Sequence, residues 1–222
     1  MTNVGHDLND NPAPDERPVP APSAEASVEA EGPEGNPAIV GVPTFVVGSI
    51  ALGLVLTGFV SAKAVGASIP IIMTATGIGQ IYAMAWAARL AQNAVAAVFG
   101  IFGGFWLSYA ALVLGLTHGW FGILPADAIQ TEKLFLLSWL IIIVVLTLVS
   151  LRLPLAFTAI FVLVDLALLF VLLGTANASA GETKTGGYLV FAFALVGVYV
   201  FADAMGAVTG GKPLPLGRPI IH

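Results

Sequence analysis

Glu34-Gly35-Asn36-Pro37-Ala38-Ile39-Val40-Gly41-Val42-Pro43-Thr44-Phe45, "EGNPAIVGVPTF", is the point at which an acidic, proline-rich stretch turns almost wholly apolar. The residues beyond this point decide the fold. From Ile39 onward, apolar runs of about 20 residues, the length of helix needed to cross a hydrocarbon layer about 30 Å thick, alternate with short polar breaks. Only 9% of the 222 residues are charged and 58% are hydrophobic, with mean hydropathy +0.95, whereas soluble domains carry about 25% charged residues. The composition predicts an all-α integral membrane protein.

Six spans are expected, at about 39–60, 69–90, 95–116, 134–151, 154–174 and 187–208, forming a transmembrane domain over 36–210 with a short C-terminal tail at 211–222. Residues 1–35 hold little but Pro, Ala, Glu, Asp and small residues, a composition that buries too little apolar surface to offset the entropy of ordering. This segment is expected to be a disordered tail. The formal charge of −5 comes from it: residues 1–38 carry eight of the thirteen acidic and one of the eight basic residues. The remainder is near neutral, so no nucleic-acid partner is expected.

The Lys and Arg distribution sets an orientation. With both termini in the cytoplasm, Arg17, Arg89, Arg152, Lys212 and Arg218 lie inside and Lys63, Lys133 and Lys184 outside. No signal peptide is visible at the start.

Enzyme chemistry finds no support. There is no cysteine, and His6, His118 and His222 fall in the tail, a break and the terminus. No phosphate-binding loop, zinc-protease motif or nucleophile–base pair is present, so neither a cofactor nor a metal is expected.

Candidate functional residues sit inside the spans. In "FGIFGGFWLSYAALVLGL", residues 99–116, Gly100, Gly104 and Ser108 form a small-residue ridge for close helix packing. Beside it, Phe102, Phe105, Trp106 and Tyr109 form an aromatic band, read either as packing and lipid-facing aromatics or as a pore constriction. Asp165 lies near the middle of the fifth span, where a charge costs about 2.5–3.5 kcal/mol on insertion scales. It must face protein or water, either as a proton-carrying group or as a hydrogen-bonding strut between helices. Asp203 is within about two turns of the end of its span and can reach the interface. Gln80, one turn from Thr76, has donor and acceptor capacity at every pH, which suits a permeating carboxylate and a helix contact equally.

Asn-Pro-Ala occurs twice, at 11–13 and 36–38. Aquaporins use two such motifs on facing half-helices, but here the first lies in the tail and cannot head a half-helix of a second membrane repeat. Taken together, "NPAIVGVPTF", "FGIFGGFWLSYA", six compact spans and Leu214-Pro215-Leu216-Gly217 after the last span resemble the acetate uptake transporter family, over about residues 35–218. Two departures stand out. Ile39-Val40-Gly41-Val42 replaces the family's usual Pro-Leu-Gly-Leu, and Phe102 stands where a tyrosine is common.

The resemblance implies a homohexameric ring of six-helix protomers in the cytoplasmic membrane, each with its own conduction path for a small carboxylate, acetate before succinate. It implies a constriction of Phe45, Phe102 and Val164. With about 1.5 Å rise per residue, Phe45 lies some 13 Å beyond Asn36. An apolar ring there disfavours a hydrated dianion more than a protonated monoacid. Asn36, Pro37 and Ala38 at the mouth, with Gln80 and Tyr109 deeper, are the candidate substrate contacts, and Asp165 the candidate for proton coupling. The alternatives are a channel for ammonium, urea or water, and a non-transporting membrane assembly protein.

Overall fold

The computed structural model describes residues 1–2, 35–61 and 64–221. Residues 3–34 of the expected tail, with Arg17 and the first Asn-Pro-Ala, lie outside the described residues, as do Ala62, Lys63 and His222. Among the described residues six helices are long and apolar enough to cross a membrane, with mean hydropathies from 1.3 to 2.8. They are α1 (Ala38–Leu56), a span made of a π-helix (Ile71–Ile78) continuing into α2 (Gly79–Arg89), α3 (Asn93–His118), α4 (Ala128–Ser150), α5 (Leu155–Asn177) and α6 (Ala180–Val208).

Asn36 starts α1. Its side-chain oxygen accepts the Ala38 N–H at 3.1 Å, and Pro37, already helical in its dihedrals (φ −58°, ψ −19°), flanks the first residue of α1 at a position where no N–H is needed. Gly35, just before it, is held by Gln92, whose Nε2 donates to the Gly35 carbonyl at 3.1 Å. The start of α1 is thereby tied to the α2–α3 link.

Two helices begin earlier than hydropathy alone predicts. α4 starts at Ala128 rather than near 134, and α6 at Ala180 rather than 187, because helical hydrogen bonding does not stop at the edge of the apolar run. Ser179 caps α6 by accepting the Glu182 N–H at 3.3 Å, and Ser179-Ala180-Gly181-Glu182 has the spacing of a capping box. The π-helix, a geometry that concentrates at functional sites, has no counterpart in the sequence reading of the second span.

α1 and the second span approach closely through reciprocal small residues. A Cβ at Gly48 would collide with Thr76, and one at Gly79 with the methyl of Thr44, 2.5 Å away. α6 packs on both α1 and α5, and α4 packs mainly on α5. Consequently α4 is the least covered element: 17% of its most apolar window is buried, against 33–39% in the other five spans. The C-terminal segment folds back on the bundle. Leu216 accepts the Ala156 N–H at 2.9 Å, the Ile220 and Ile221 N–H groups both donate to the Leu151 carbonyl at 3.0 Å, and Tyr199 donates to the Pro215 carbonyl at 3.1 Å.

Candidate functional site

Among the described residues, two cavities within the bundle share two side chains. The larger, about 310 Å³, opens between the starts of α1, α3 and α5 and the end of α6, and carries Asn36, Gln80, Gln92 and Asp203 among apolar side chains. The smaller, about 60 Å³, is lined by α1, α3, α4, α5 and α6, with Tyr109 its one residue bearing a polar side-chain oxygen. Phe45 and Phe102 line both. We call the first the vestibule and the second the inner chamber.

The partition between them is aromatic. Phe45 meets Phe102 edge-on with ring centroids 4.9 Å apart, lies 5.5 Å from Phe193 and 6.3 Å from Trp106, and Phe102 stacks on Phe161 at 6.0 Å. All five rings are buried. The aromatic band of α3 therefore faces the interior. Gly100 and Gly104, at the back of that band, face Met84 and Trp139 instead, which lets α3 pack closely on α2 and α4.

Of the three residues that the resemblance places at the constriction, Phe45 and Phe102 are in contact, while Val164 lines the inner chamber and not the vestibule. Phe193, Phe161 and Trp106 complete the cluster. Of these three, Trp106 belongs to the α3 band read from the sequence, and Phe161 lies one turn from Asp165 on α5; neither signal points to the partition, because a lone Phe in an apolar helix gives no sign of the direction it faces.

Asn36, Ala38 and Gln80 line the vestibule. Pro37 is buried beneath its mouth, and Tyr109 stands in the inner chamber, stacked on Phe105 at 6.3 Å. Gln80 has no exposed surface; its Nε2 donates to the Gly41 carbonyl and to the Thr44 hydroxyl at 3.1 Å. Asp203 accepts the Leu214 N–H at 2.7 Å, so the C-terminal segment is latched to the vestibule rim, with Leu216 in the vestibule wall. Gln92 and Leu216 were not anticipated as site residues; Leu214-Pro215-Leu216-Gly217 entered only as part of a family motif.

Asp165 lines neither cavity. It sits half-buried between α4 and α5, where its Oδ2 accepts the Thr147 hydroxyl at 2.7 Å. Thr158, two turns away on its own helix, donates instead to the Ser150 carbonyl at 2.8 Å. The α4–α5 pair is thus joined by two hydroxyl links, the arrangement of a strut between helices. Among the described residues no group of three or more His, Asp or Glu side chains could hold a metal ion.

The vestibule mouth gathers the first turns of α1, α3 and α5 around one opening. The dipole of a helix start favours negative charge nearby, offset here by Asp203 and by the bonding of the Ala38 N–H to Asn36 and of the Ala156 N–H to Leu216.

A six-span bundle with cavities meeting at an aromatic partition defines a multi-pass α-helical membrane protein. The chain belongs to the GPR1/FUN34/yaaH family, whose model matches residues 22–209, the acetate uptake transporter family that the motifs resemble. It is 30% identical over 177 residues to the ammonia transport outward protein 2 of Saccharomyces cerevisiae, covering 74% of this chain and 59% of that protein. It is 28% identical over 175 residues to the accumulation of dyads protein 2 of the same yeast, with the same coverage. The glyoxylate pathway regulator of Yarrowia lipolytica is 28% identical over 197 residues, 84% of this chain and 70% of that protein. The chain thus spans about three-fifths of the length of the first two. In fold it is similar to the bacterial acetate channel SatP, with TM-score 0.74 and 20% identity, covering 83% of this chain and all of that one.

Proposed function

We propose that this protein conducts small monocarboxylates, chiefly acetate, across the cytoplasmic membrane. The observation that carries the reading is the pair of cavities meeting at Phe45 and Phe102. A water-filled pore would pass ions indiscriminately, whereas an apolar partition sets a dehydration barrier that rises steeply with charge. A monoacid loses less hydration than a dianion such as succinate, so acetate crosses faster. The dipoles of three helix starts around the vestibule favour a carboxylate as the solute gathered there. The similarity to a bacterial acetate channel is consistent with this reading.

Five of the eight Lys and Arg residues fall at the vestibule end of the bundle or in the N-terminal tail when both termini are placed in the cytoplasm, so we place the vestibule on the cytoplasmic side. The weakly covered α4, with Leu134, Leu137, Ile141 and Val145 exposed, suits lipid or a neighbouring protomer, and a ring of six is what the family resemblance implies. Native mass measurement of the detergent-solubilised protein tests the ring.

A second reading, export or uptake of ammonia, is favoured by one observation, the 30% identity to a yeast protein named for outward ammonia transport. An apolar partition passes a small neutral base as readily as a small neutral acid. Labelled acetate and methylammonium fluxes into liposomes carrying the full chain decide between them. Acetate flux above that of protein-free vesicles, with little methylammonium flux, is the expected result; the reverse would replace the carboxylate reading.

A further inference from the structure

The vestibule has one fully buried polar side chain in its wall, Gln80, and its amide is held in one orientation. Gly41 offers a carbonyl, which only accepts, so the amide nitrogen must face it. The second amide N–H goes to Thr44, whose own hydroxyl proton is directed at the Val40 and Gly41 carbonyls, at 2.9 and 3.0 Å. Both donors are thereby consumed, and Oε1 is left buried without a partner. The broad donor and acceptor capacity expected of a glutamine is reduced here to a single acceptor.

Its position ties it to the partition. Thr44 precedes Phe45 in the chain, and Gly103 follows Phe102. The missing side chain at Gly103 lets Gln80 lie against α3, since a Cβ there would come 3.3 Å from that of Gln80. Gln80 is flush with the wall and has no surface open to water. A solute reaches it when the neighbouring rings part, the same movement that passage requires.

We infer that Gln80 is a specificity-determining residue that selects the undissociated form of a small carboxylic acid at the partition. This rests on the carboxylate reading of the vestibule. An acid that still carries its proton donates O–H to the orphan acceptor, while its anion brings only lone pairs and is repelled. A proton then crosses with each acid molecule without passing through Asp165, which lines neither cavity.

The test uses a pair of isosteric competitors of labelled acetate flux in liposomes containing the full chain. Acetamide carries N–H donors where acetone carries a methyl group. Wild-type protein is expected to be inhibited about three- to tenfold more effectively by acetamide, the range that one hydrogen bond supplies. Gln80→Met should bring the two inhibition constants to within about twofold. If the Met variant does not fold, Thr44→Val serves, because it keeps the shape, frees one amide N–H toward the acetone carbonyl and narrows the same ratio. No preference for acetamide in the wild type, or a preference that survives either substitution, overturns the inference. Absence of acetate flux in the wild type overturns the carboxylate reading and the inference with it, an outcome distinct from a flux with no donor preference.

Discussion

The vestibule and the inner chamber are separated by one layer of rings and differ in almost everything else. The vestibule has about 310 Å³ and four polar side chains from four parts of the chain: Asn36, Gln80, Gln92 and Asp203. The chamber has about 60 Å³ and two side chains with a polar group, Tyr109 and Trp106, the Trp106 Nε1–H being buried without a partner. A solute can be gathered, oriented and partly rehydrated on one side, but on the other it meets hydrocarbon in a space for about two waters. Under the proposed function, the asymmetry assigns most of the polar discrimination to the vestibule and its floor, and mainly a limit on size to the chamber.

Removing the floor should have the largest effect. Phe45→Ala merges the cavities, so acetate flux in liposomes should rise about tenfold, equivalent to about 1.4 kcal/mol off the barrier, and succinate should begin to pass. The same change should lower stability by about 3–5 kcal/mol as a Phe-to-Ala cavity, which thermal unfolding in detergent will register. An unchanged flux would show that the rings are not the barrier.

Next in size is Asn36→Ala. Losing the cap costs about 0.5–2 kcal/mol of helix stability and disturbs the α1 start that faces the vestibule, so the half-saturating acetate concentration should rise about threefold, with a smaller change in maximal rate. An effect on stability alone would confine Asn36 to capping.

Asp203→Asn keeps an oxygen for the Leu214 N–H but removes a carboxylate from the rim. Acetate flux should rise about twofold at low ionic strength and the gain should fade as salt is added. A loss of flux would give the carboxylate a positive role in the vestibule.

The smallest effects are expected away from the vestibule. Asp165→Asn retains an acceptor for Thr147 and touches neither cavity, so accumulation driven by a pH gradient should persist, with stability lowered by about 1 kcal/mol. Abolished accumulation with the oligomer intact would instead make Asp165 the proton carrier. Tyr109→Phe, in the chamber, should change flux by less than about twofold.

Much of this was legible in the chain. Six spans are dictated by hydropathy because a bilayer leaves so few ways to satisfy a backbone, and Asn36-Pro37 announces a helix start through local chemistry alone. Phe45 and Phe102 were reached through motif position, and their contact is found in the fold. The harder part was direction. Val164 and Asp165 are neighbours on α5, yet one faces the chamber and the other faces α4, because successive residues on a helix point about 100° apart and an all-apolar helix has no polar face to fix its rotation. Glu132 and Glu182 stand in helices that extend past the apolar runs, since capping and backbone bonding, not hydropathy, set where a helix begins.

The sequence by itself determined a six-span membrane protein, the capped start of α1 and the aromatic content of α3, all matters of composition or of residues within a turn of each other. Tertiary structure alone decided that Phe193 and Phe161 join the partition, that Asp165 is bonded to Thr147, and that Leu216 walls the vestibule. It also decided that Gln80 has only an acceptor left to offer. That last property depends on the Gly41 carbonyl and the Thr44 hydroxyl, 39 and 36 positions away along the chain, and hydrogen-bond satisfaction at such range exists only once the helices have packed.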